Sequence, residues 1–373
     1  MTAIDSRARN VLHGLEPYIP GTPIEEVKRK YGLRSVTKLA SNENPLGPSP
    51  KAVEALKSAA ANLHRYPDGS CRLLKQKLAK VWKVEPENVS VGNGSDELLV
   101  LALRAFADPG DEVVVATPTF LVYGIQAKAC GAAVRAVPQR DHRYDLAAMK
   151  AAVTPQTKLV FIANPDNPTG TYVTKKELGD FLIGLPPQVI TVVDEAYYEL
   201  VDAKDYPHTI PLIHEYPLIV TRTFSKAYGL AGLRVGYGIA QPSIITALEA
   251  IREPFNVNSL AQAAAVAALD DKTFLAKTRQ VVSSGRKLLC RELDRLKLRY
   301  VPSAANFVLI EVGPNAPQLA QALLERGVIV REMSAWKLSG FIRVTIGTPE
   351  ENQRLIQTLK ACLSGKGLAR ARA

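Results

Sequence analysis

The stretch TRTFSKAYGLAGLR, residues 221–234, begins at the end of one short apolar run, 218–221, and ends at the start of another, 235–239. Its single lysine, Lys226, lies among small and apolar residues. A desolvated amine near a second cation has a lowered pKa and can attack a carbonyl, which is the chemistry of a Schiff base. The side chains that could hold an anion such as phosphate beside it are Thr223, Ser225 and Arg234. A solvated loop lysine is the alternative for this stretch alone.

The composition indicates a large globular protein. The chain has 373 residues, of which 47% are hydrophobic and 22% charged, enough for a sizeable core. We predict a large domain over 47–255 and a small domain over 256–373, with residues 1–46 as an N-terminal arm that joins the small domain.

Charge and cysteine content narrow the function classes. The net charge is +11, but Lys and Arg are dispersed outside the run 366–372, and no nucleic-acid-binding motif is visible. No apolar stretch suits a membrane helix, and residues 1–10 lack the apolar centre of a secretory signal. The four cysteines have no metal-ligand spacing. We therefore expect a cytoplasmic protein with reduced thiols, small-molecule partners, and no metal, membrane or nucleic-acid site.

Short apolar runs alternate with helical segments through most of the chain. The runs are 89–91, 112–116, 133–137, 158–162, 189–193, 218–221 and 235–239. This alternation predicts an α/β fold with a mainly parallel seven-stranded sheet between helices. The strand and helix segments after residue 272 alternate less regularly, which favours a smaller α+β domain.

Residues suited to binding follow the first two runs, at the sheet edge where open α/β folds bind their ligands. Gly94, Ser95 and Asp96 open a helix whose free N–H groups suit a phosphate. Phe120 follows the second run and could stack on a planar ring. An ordinary helix cap and a core aromatic are the alternatives.

Three later strand ends carry complementary groups. The loop 164–170 is stiff and polar, and its Asn167 could donate to a phenolate oxygen. Asp194 follows an apolar run, so its carboxylate should be partly buried and needs a cation such as a protonated pyridine nitrogen. Tyr197 could reach the ring oxygen. A plain turn and a structural ion pair are the alternatives, but together with Lys226 these elements describe a pyridoxal 5'-phosphate site.

These motifs carry a resemblance that covers nearly the whole chain. It resembles the fold-type I, aspartate aminotransferase-like family of pyridoxal phosphate enzymes at 164–170, 194–197 and 225–234. It is also similar to the branch of that family that acts on histidinol phosphate, at 41–48, 65–68, 92–97 and 343–347.

The resemblance implies a role for each motif residue. Lys226 would bind the cofactor and shuttle a proton, and Asp194 would pair with the pyridinium. Tyr197 and Asn167 would donate to the phenolic oxygen. Phe120 occupies the stacking position, where relatives often have tyrosine. The remaining cofactor positions, around the phosphate, are Gly94, Ser95, Asp96, Thr223, Ser225 and Arg234.

The same resemblance implies a homodimer with shared active sites, because Tyr66 matches a residue that the neighbouring subunit lends to the phosphate. Arg343 resembles the arginine that grips the α-carboxylate. The positions where this branch handles its phosphorylated substrate are Tyr18, Asn42 and Arg331. The implied reaction moves an amino group between glutamate or 2-oxoglutarate and histidinol phosphate or imidazole acetol phosphate.

Alternatives from other classes stay open at this point. An aminotransferase for aromatic amino acids or a phosphothreonine decarboxylase would share the cofactor site. A cofactor-sensing regulator would need a DNA-binding extension, and the segment before the first motif contains no helix-turn-helix pattern.

Overall fold

The computed structural model describes residues 8–13, 15 and 21–364. Its helices are α1 (Ile24–Tyr31), α2 (Pro50–Ala59), α3 (Arg72–Trp82), α4 (Ser95–Phe106), α5 (Leu121–Cys130), α6 (Leu146–Ala151), α7 (Lys175–Ile183), α8 (Pro242–Ile251), α9 (Ser259–Leu269), α10 (Lys272–Arg295), α11 (Ala316–Glu325) and α12 (Pro349–Leu363). Its strands are β1 (Thr37–Lys38), β2 (Val89–Gly92), β3 (Glu112–Thr117), β4 (Ala133–Pro138), β5 (Thr157–Ala163), β6 (Ile190–Asp194), β7 (Leu218–Thr223), β8 (Gly236–Ala240), β9 (Tyr300–Val301), β10 (Phe307–Glu311), β11 (Val328–Ile329), β12 (Arg331–Glu332) and β13 (Phe341–Thr345). None of the helices in this described part combines the length and apolar character needed to cross a bilayer.

Seven strands form one large sheet in the order β2-β8-β7-β6-β5-β3-β4. The strands from β7 to β4 are parallel to one another, whereas β8 runs antiparallel to both β2 and β7. The predicted α/β fold with a mainly parallel seven-stranded sheet is therefore confirmed. Each predicted apolar run coincides with one of these strands to within a residue or two.

The strands are apolar on both faces because helices cover both faces of the sheet. On β5, Val160 packs into one apolar core and its neighbour Leu159 into a second one. On β7, Val220 and Ile219 divide in the same way. Burial of each such side chain contributes about 1.5–3 kcal/mol, so the sheet is held from both sides.

Side chains cap several helices, but α4 begins differently. Thr174 and Glu177 satisfy each other's backbone N–H groups at the start of α7, which contributes about 1 kcal/mol. Gly94, with a φ of 81°, immediately precedes α4, and no side chain caps the first N–H groups of the helix. These N–H groups remain suited to an anion.

A second, four-stranded antiparallel sheet has the order β12-β13-β10-β9. Helices α10, α11 and α12 pack on it, and Leu39 from the N-terminal segment joins the same apolar core. Strand β1 also pairs with β11. Helix α9 packs against α2, next to the large sheet, although it follows residue 256. The domain boundaries at 47–255 and 256–373 stay a prediction.

Candidate active site

A cavity of about 440 Å³ lies at the carboxyl edge of the large sheet. It brings together side chains that lie far apart in the sequence, because parallel strands end at the same edge. The predicted site residues that line it are Asn42, Ser95, Asp96, Phe120, Asn167, Asp194, Tyr197, Thr223, Ser225, Lys226, Arg234 and Arg343.

Lys226 is half-buried in this cavity, in the connection after β7. Its Nζ donates a hydrogen bond to the backbone carbonyl of Ser41 at 3.3 Å and lies 5.7 Å from the ring centroid of Tyr197. Burial of the amine, and then the charge of Arg343, lower the pKa of Lys226 to about 8. A considerable fraction of the amine is therefore neutral near physiological pH, as a nucleophile or base requires.

Asp194, the last residue of β6, is buried in the same cavity. Its Oδ2 accepts a hydrogen bond from the hydroxyl of Tyr123 at 2.7 Å, and its Oδ1 accepts one from Thr221 at 3.2 Å. Burial raises the pKa of Asp194 to about 6, despite these bonds. Within the described residues its side-chain donors are neutral, so a cationic group of a ligand would compensate the buried charge.

Hydrogen bonds hold the side chains of Tyr197 and Asn167 at the cavity. Asn42 donates from Nδ2 to the hydroxyl of Tyr197 at 2.9 Å, and burial raises the pKa of Tyr197 to about 12. Arg343 donates from Nη1 to Oδ1 of Asn167. Because Oδ1 of Asn167 accepts this bond, its NH2 group is the part that can donate to a ligand.

The N-terminus of α4 forms one wall of the cavity. Thr223 and Ser225 lie beside it, and the backbone N–H of Ser225 donates to the hydroxyl of Thr223 at 3.1 Å. Nη1 of Arg234 lies 3.5 Å from the hydroxyl of Ser225, and its Nη2 lies 3.6 Å from a carboxylate oxygen of Asp96. Backbone N–H groups, hydroxyls and a guanidinium in one place are the donors that bind phosphate.

Phe120 precedes α5 and lines the same cavity. Its ring meets that of Tyr123 edge to face, with the centroids 5.5 Å apart. Its position makes it one of the aromatic surfaces on which a planar ring in the cavity could stack.

Three predicted site residues within the described part of the chain lie outside the lining of this cavity. Gly94 is the residue immediately before α4. Tyr66 is 83% exposed and stacks on Phe255. Arg331 borders a neighbouring cavity that shares Phe120 and Trp336 with the first.

A fourth predicted site residue, Tyr18, lies outside the residues that the structure describes. The roles of Tyr18, Gly94, Tyr66 and Arg331 stay predictions.

Sequence reasoning missed several residues of the site. Tyr123 lies three positions after Phe120, one helical turn away, and that spacing was the available signal. Thr221 faces Asp194 from the adjacent strand, and Ser41 contributes only a backbone carbonyl. Trp336 comes from a short segment between two strands, where no sequence pattern points to the cavity.

The donor set fits pyridoxal phosphate. A buried carboxylate, an amine with a lowered pKa and an uncapped helix N-terminus match its ring nitrogen, aldehyde and phosphate. Among the described residues no group of histidines, cysteines and carboxylates could hold a metal ion.

Comparisons with known proteins agree with this geometry. A model of the family described as aminotransferase class I and II matches residues 34–359. A histidinol-phosphate aminotransferase from Moorella thermoacetica is 48% identical over 360 residues, which are 96% of this chain and 93% of that protein. One from Geobacillus sp. (strain WCH70) is 49% identical, over 96% of this chain and 98% of that protein.

A solved structure is similar over the same length. The crystal structure of histidinol-phosphate aminotransferase from Sinorhizobium meliloti in complex with pyridoxal-5'-phosphate has a TM-score of 0.88 and 30% identity, and the match covers 97% of this chain and 98% of that one. These matches confirm the family resemblance predicted from the motifs. The chain belongs to the aminotransferase class I and II family.

Proposed function

We propose that this chain is a pyridoxal phosphate-dependent aminotransferase of histidine biosynthesis. It moves an amino group between glutamate or 2-oxoglutarate and histidinol phosphate or imidazole acetol phosphate. The observation that carries the proposal is the meeting of Lys226, Asp194 and the phosphate-binding end of α4 in one cavity. The full-length similarity to proteins named histidinol-phosphate aminotransferase supports the choice of substrate.

Different residues of the chain bind different parts of the cofactor. The helix end, Thr223, Ser225 and Arg234 bind the phosphate, and Phe120 covers the ring. Asp194 keeps the ring nitrogen protonated, because an ionised carboxylate buried there is stabilised by a positive partner. When bound, pyridoxal phosphate supplies an electron-accepting ring conjugated to the reacting carbon.

Lys226 performs the proton transfer. Its Nζ would accept the proton from the substrate Cα and would later give it up to the cofactor, which is general acid–base catalysis. The lowered pKa of Lys226, about 8, suits both directions. Tyr197 and Asn167 donate hydrogen bonds to the ring oxygen and so fix the orientation of the ring.

Two arginines bind the substrates. Arg343, on β13, is buried at the cavity and binds the α-carboxylate of glutamate. Arg331 lies opposite Arg343 in the β12–β13 register and its guanidinium is 5.2 Å from the ring centroid of Trp336. From the neighbouring cavity it would bind the phosphate of the second substrate.

The experiment is a spectral titration of the purified protein with bound pyridoxal phosphate. Glutamate should convert the visible band of the bound cofactor to that of its amine form, and imidazole acetol phosphate should restore it, with ping-pong kinetics. Lys226→Ala should lose turnover and the wild-type visible band. Lys204→Ala, which changes an exposed loop lysine, is the control and should match the wild type.

The rival functions are outcomes of the same experiment. Faster turnover with phenylpyruvate than with imidazole acetol phosphate would favour an aromatic aminotransferase. Release of carbon dioxide from phosphothreonine without a 2-oxo acid would favour the decarboxylase.

We also propose a cytoplasmic homodimer with shared sites. Tyr66 and Phe255 stack with their centroids 4.8 Å apart and are 83% and 45% exposed, as aromatic residues at protein contacts often are before assembly. Tyr66 does not line its own chain's cavity, so it would act on the phosphate of the neighbouring subunit. The four cysteines form no disulfide, which supports a reducing compartment.

A hybrid dimer tests the shared site. Lys226→Ala and Tyr66→Ala chains are each expected to have low activity at limiting cofactor. When they are mixed and allowed to exchange, one of the two sites in each hybrid combines an intact Lys226 with an intact Tyr66. Activity should therefore recover on mixing. No recovery, although the hybrid forms, would place Tyr66 outside the partner's site.

A further inference from the structure

A buried ion pair lies behind the active site, on the sides of β6 and β7 that face away from the cavity. Asp194 and Thr223 line the cavity. Glu195 and Arg222 are their sequence neighbours and point the other way, because side chains alternate along extended backbone. Both are almost completely buried.

The pair has a well-defined geometry. Oε2 of Glu195 accepts hydrogen bonds from Nε and Nη2 of Arg222, at 2.9 and 2.6 Å. Its Oε1 accepts one from the hydroxyl of Thr209 at 2.6 Å. The guanidinium carbon lies 4.0 Å from the ring centroid of Trp82 and 3.3 Å from that of Tyr198. A planar cation that packs against two rings and makes a two-point contact to a carboxylate has little freedom to shift.

This pair is connected to the cofactor side by short hydrogen-bonded links. The backbone N–H of Glu195 donates to the carbonyl of Thr221 at 2.8 Å. The hydroxyl of Thr221 donates in turn to Asp194. A shift of β6 along β7 would therefore move Asp194 relative to Thr223. It would change the distance between the carboxylate that pairs with the ring nitrogen and a hydroxyl that binds the phosphate.

We propose that Glu195 and Arg222 are a positioning pair for the cofactor. They fix how far the ends of β6 and β7 are offset along the strand direction. This offset sets the distance between the groups that hold the ring nitrogen and the phosphate. The inference rests on the proposed function. An ion pair buried only for stability is a weak explanation, because apolar residues of similar volume usually serve as well.

A further buried carboxyl, that of Glu199, lies near Arg222 and could replace Glu195 as its partner. Glu199 is also buried, and the charge of Arg222 opposes the effect of burial, which raises the pKa of Glu199 to about 7. Within the described part of the chain, neither Glu199 carboxylate oxygen nor Nη1 of Arg222 has a hydrogen-bond partner. If Glu195 loses its charge, Glu199 becomes the remaining carboxylate toward which the guanidinium can turn, and β7 would be pulled with it.

The test compares Glu195→Gln, Arg222→Lys and the double variant Glu195→Gln/Arg222→Met with Arg135→Met. The last removes an exposed ion pair with Glu112 far from the cavity and is the control. Three quantities are measured: the dissociation constant of pyridoxal phosphate, the pH titration of its visible absorbance in the bound state, and kcat separately from KM. Urea unfolding of the cofactor-free protein measures stability.

We expect each single variant to bind the cofactor about tenfold more weakly and to shift the midpoint of the absorbance titration. We also expect kcat to fall by a larger factor than that by which KM changes. The control should stay within about twofold of the wild type, as exposed ion pairs contribute little. The double variant removes both charges of the pair, and without Arg222 the pKa of Glu199 rises further, so Glu199 stays neutral. This variant should therefore regain stability while its cofactor affinity stays low.

The inference is overturned if the single variants change only urea unfolding, or if the double variant recovers cofactor affinity as well as stability. If the variants at Glu195 and Arg222 fail to fold, Thr209→Val is used instead. It removes one hydrogen bond to Glu195 and should shift the midpoint of the same absorbance titration by a smaller amount. An unshifted titration in a folded Thr209→Val protein also counts against the proposal. If the wild type itself binds no pyridoxal phosphate, the proposed function fails first.

Discussion

The hydroxyl of Tyr123 lies 2.7 Å from Oδ2 of Asp194, so a neutral side chain on α5 holds the carboxylate that faces the cavity. Burial and the nearby Asp194 charge raise the pKa of Tyr123 far above its ordinary value, which keeps it a hydrogen-bond donor at all working pH values. The bond in turn lowers the pKa of Asp194, against the larger effect of burial. Tyr123 therefore helps to keep Asp194 ionised.

Replacing Tyr123 by Phe should raise the pKa of Asp194 above about 6, by one unit or more, since a hydrogen bond to a charged group contributes ~1.5–3 kcal/mol. More of the carboxyl is then protonated at neutral pH, so pyridoxal phosphate should bind more weakly, with the largest loss at low pH. The measurement is the dissociation constant over about three pH units, from about pH 5 to about pH 8, which spans the pKa of Asp194 in both proteins.

The control for this prediction is Tyr144→Phe. Tyr144 is half-buried, and its hydroxyl bonds to Thr119 and to the backbone N–H of Ala163, not to Asp194. Its removal should leave the pH dependence of cofactor binding unchanged. A loss in Tyr123→Phe that is the same at every pH would contradict the prediction.

The rate of cofactor incorporation should follow the titration of Lys226. The pKa of Lys226 is lowered to about 8, so the reactive neutral amine grows as pH rises through that value and the rate should then level off. Arg343→Gln removes a positive charge that disfavours the protonated amine, so the midpoint should move to higher pH. Stopped-flow absorbance against pH measures both.

Arg343→Lys is the matched control, because it keeps the charge while losing the planar guanidinium. Its midpoint should stay near that of the wild type. Equal midpoints in all three proteins would show that the charge of Arg343 does not act on Lys226.

Gly236 should be indispensable for the phosphate-binding wall. A Cβ added there would lie 2.3 Å from the backbone nitrogen of Ser95, at the start of α4. Backbone cannot yield as a flexible side chain can, so Gly236→Ala should displace the helix end, with a stability loss of about 1–3 kcal/mol and weaker cofactor binding. Urea unfolding and cofactor titration measure these.

Gly238→Ala is the matched control on the same strand. Its Cβ would meet Leu98 at 3.5 Å, an ordinary contact. It should bind the cofactor as the wild type does. Comparable losses in the two variants would mean that strand flexibility, and not the contact with Ser95, explains the result.

Arg331 should matter for the phosphorylated substrate and not for glutamate. Arg331→Ala removes a guanidinium that packs by Trp336 at the edge of the site. We expect KM for histidinol phosphate to rise about tenfold or more, because a charged hydrogen bond contributes ~1.5–3 kcal/mol. Steady-state kinetics with each substrate varied provide the measurement.

Arg299→Ala is the control for Arg331, since Arg299 is an exposed arginine paired with Glu311 near the same small sheet. Both KM values should stay unchanged in it. An equal rise of KM for glutamate and histidinol phosphate in Arg331→Ala would falsify the assignment of Arg331 to the substrate phosphate.

The sequence by itself determined the class of fold and the chemistry of the cavity. Apolar runs such as 158–162 predict buried strands, because their side chains have to be removed from water whatever the order of the strands in the sheet. Turn-forming and polar residues directly after the runs, among them Asn167 and Asp194, had to collect at one edge of a parallel sheet. These are local signals, and they needed no knowledge of which strands are neighbours.

Only the tertiary structure decided which groups meet. It places β8 antiparallel between β2 and β7. The bond from Asn42 to Tyr197 spans 155 positions of sequence. The Glu195–Arg222 pair likewise depends on two strands lying side by side. The physical reason is that a hydrogen bond or a pKa shift depends on distance in space and on burial, and both are set by packing between elements whose separation in sequence carries no such information.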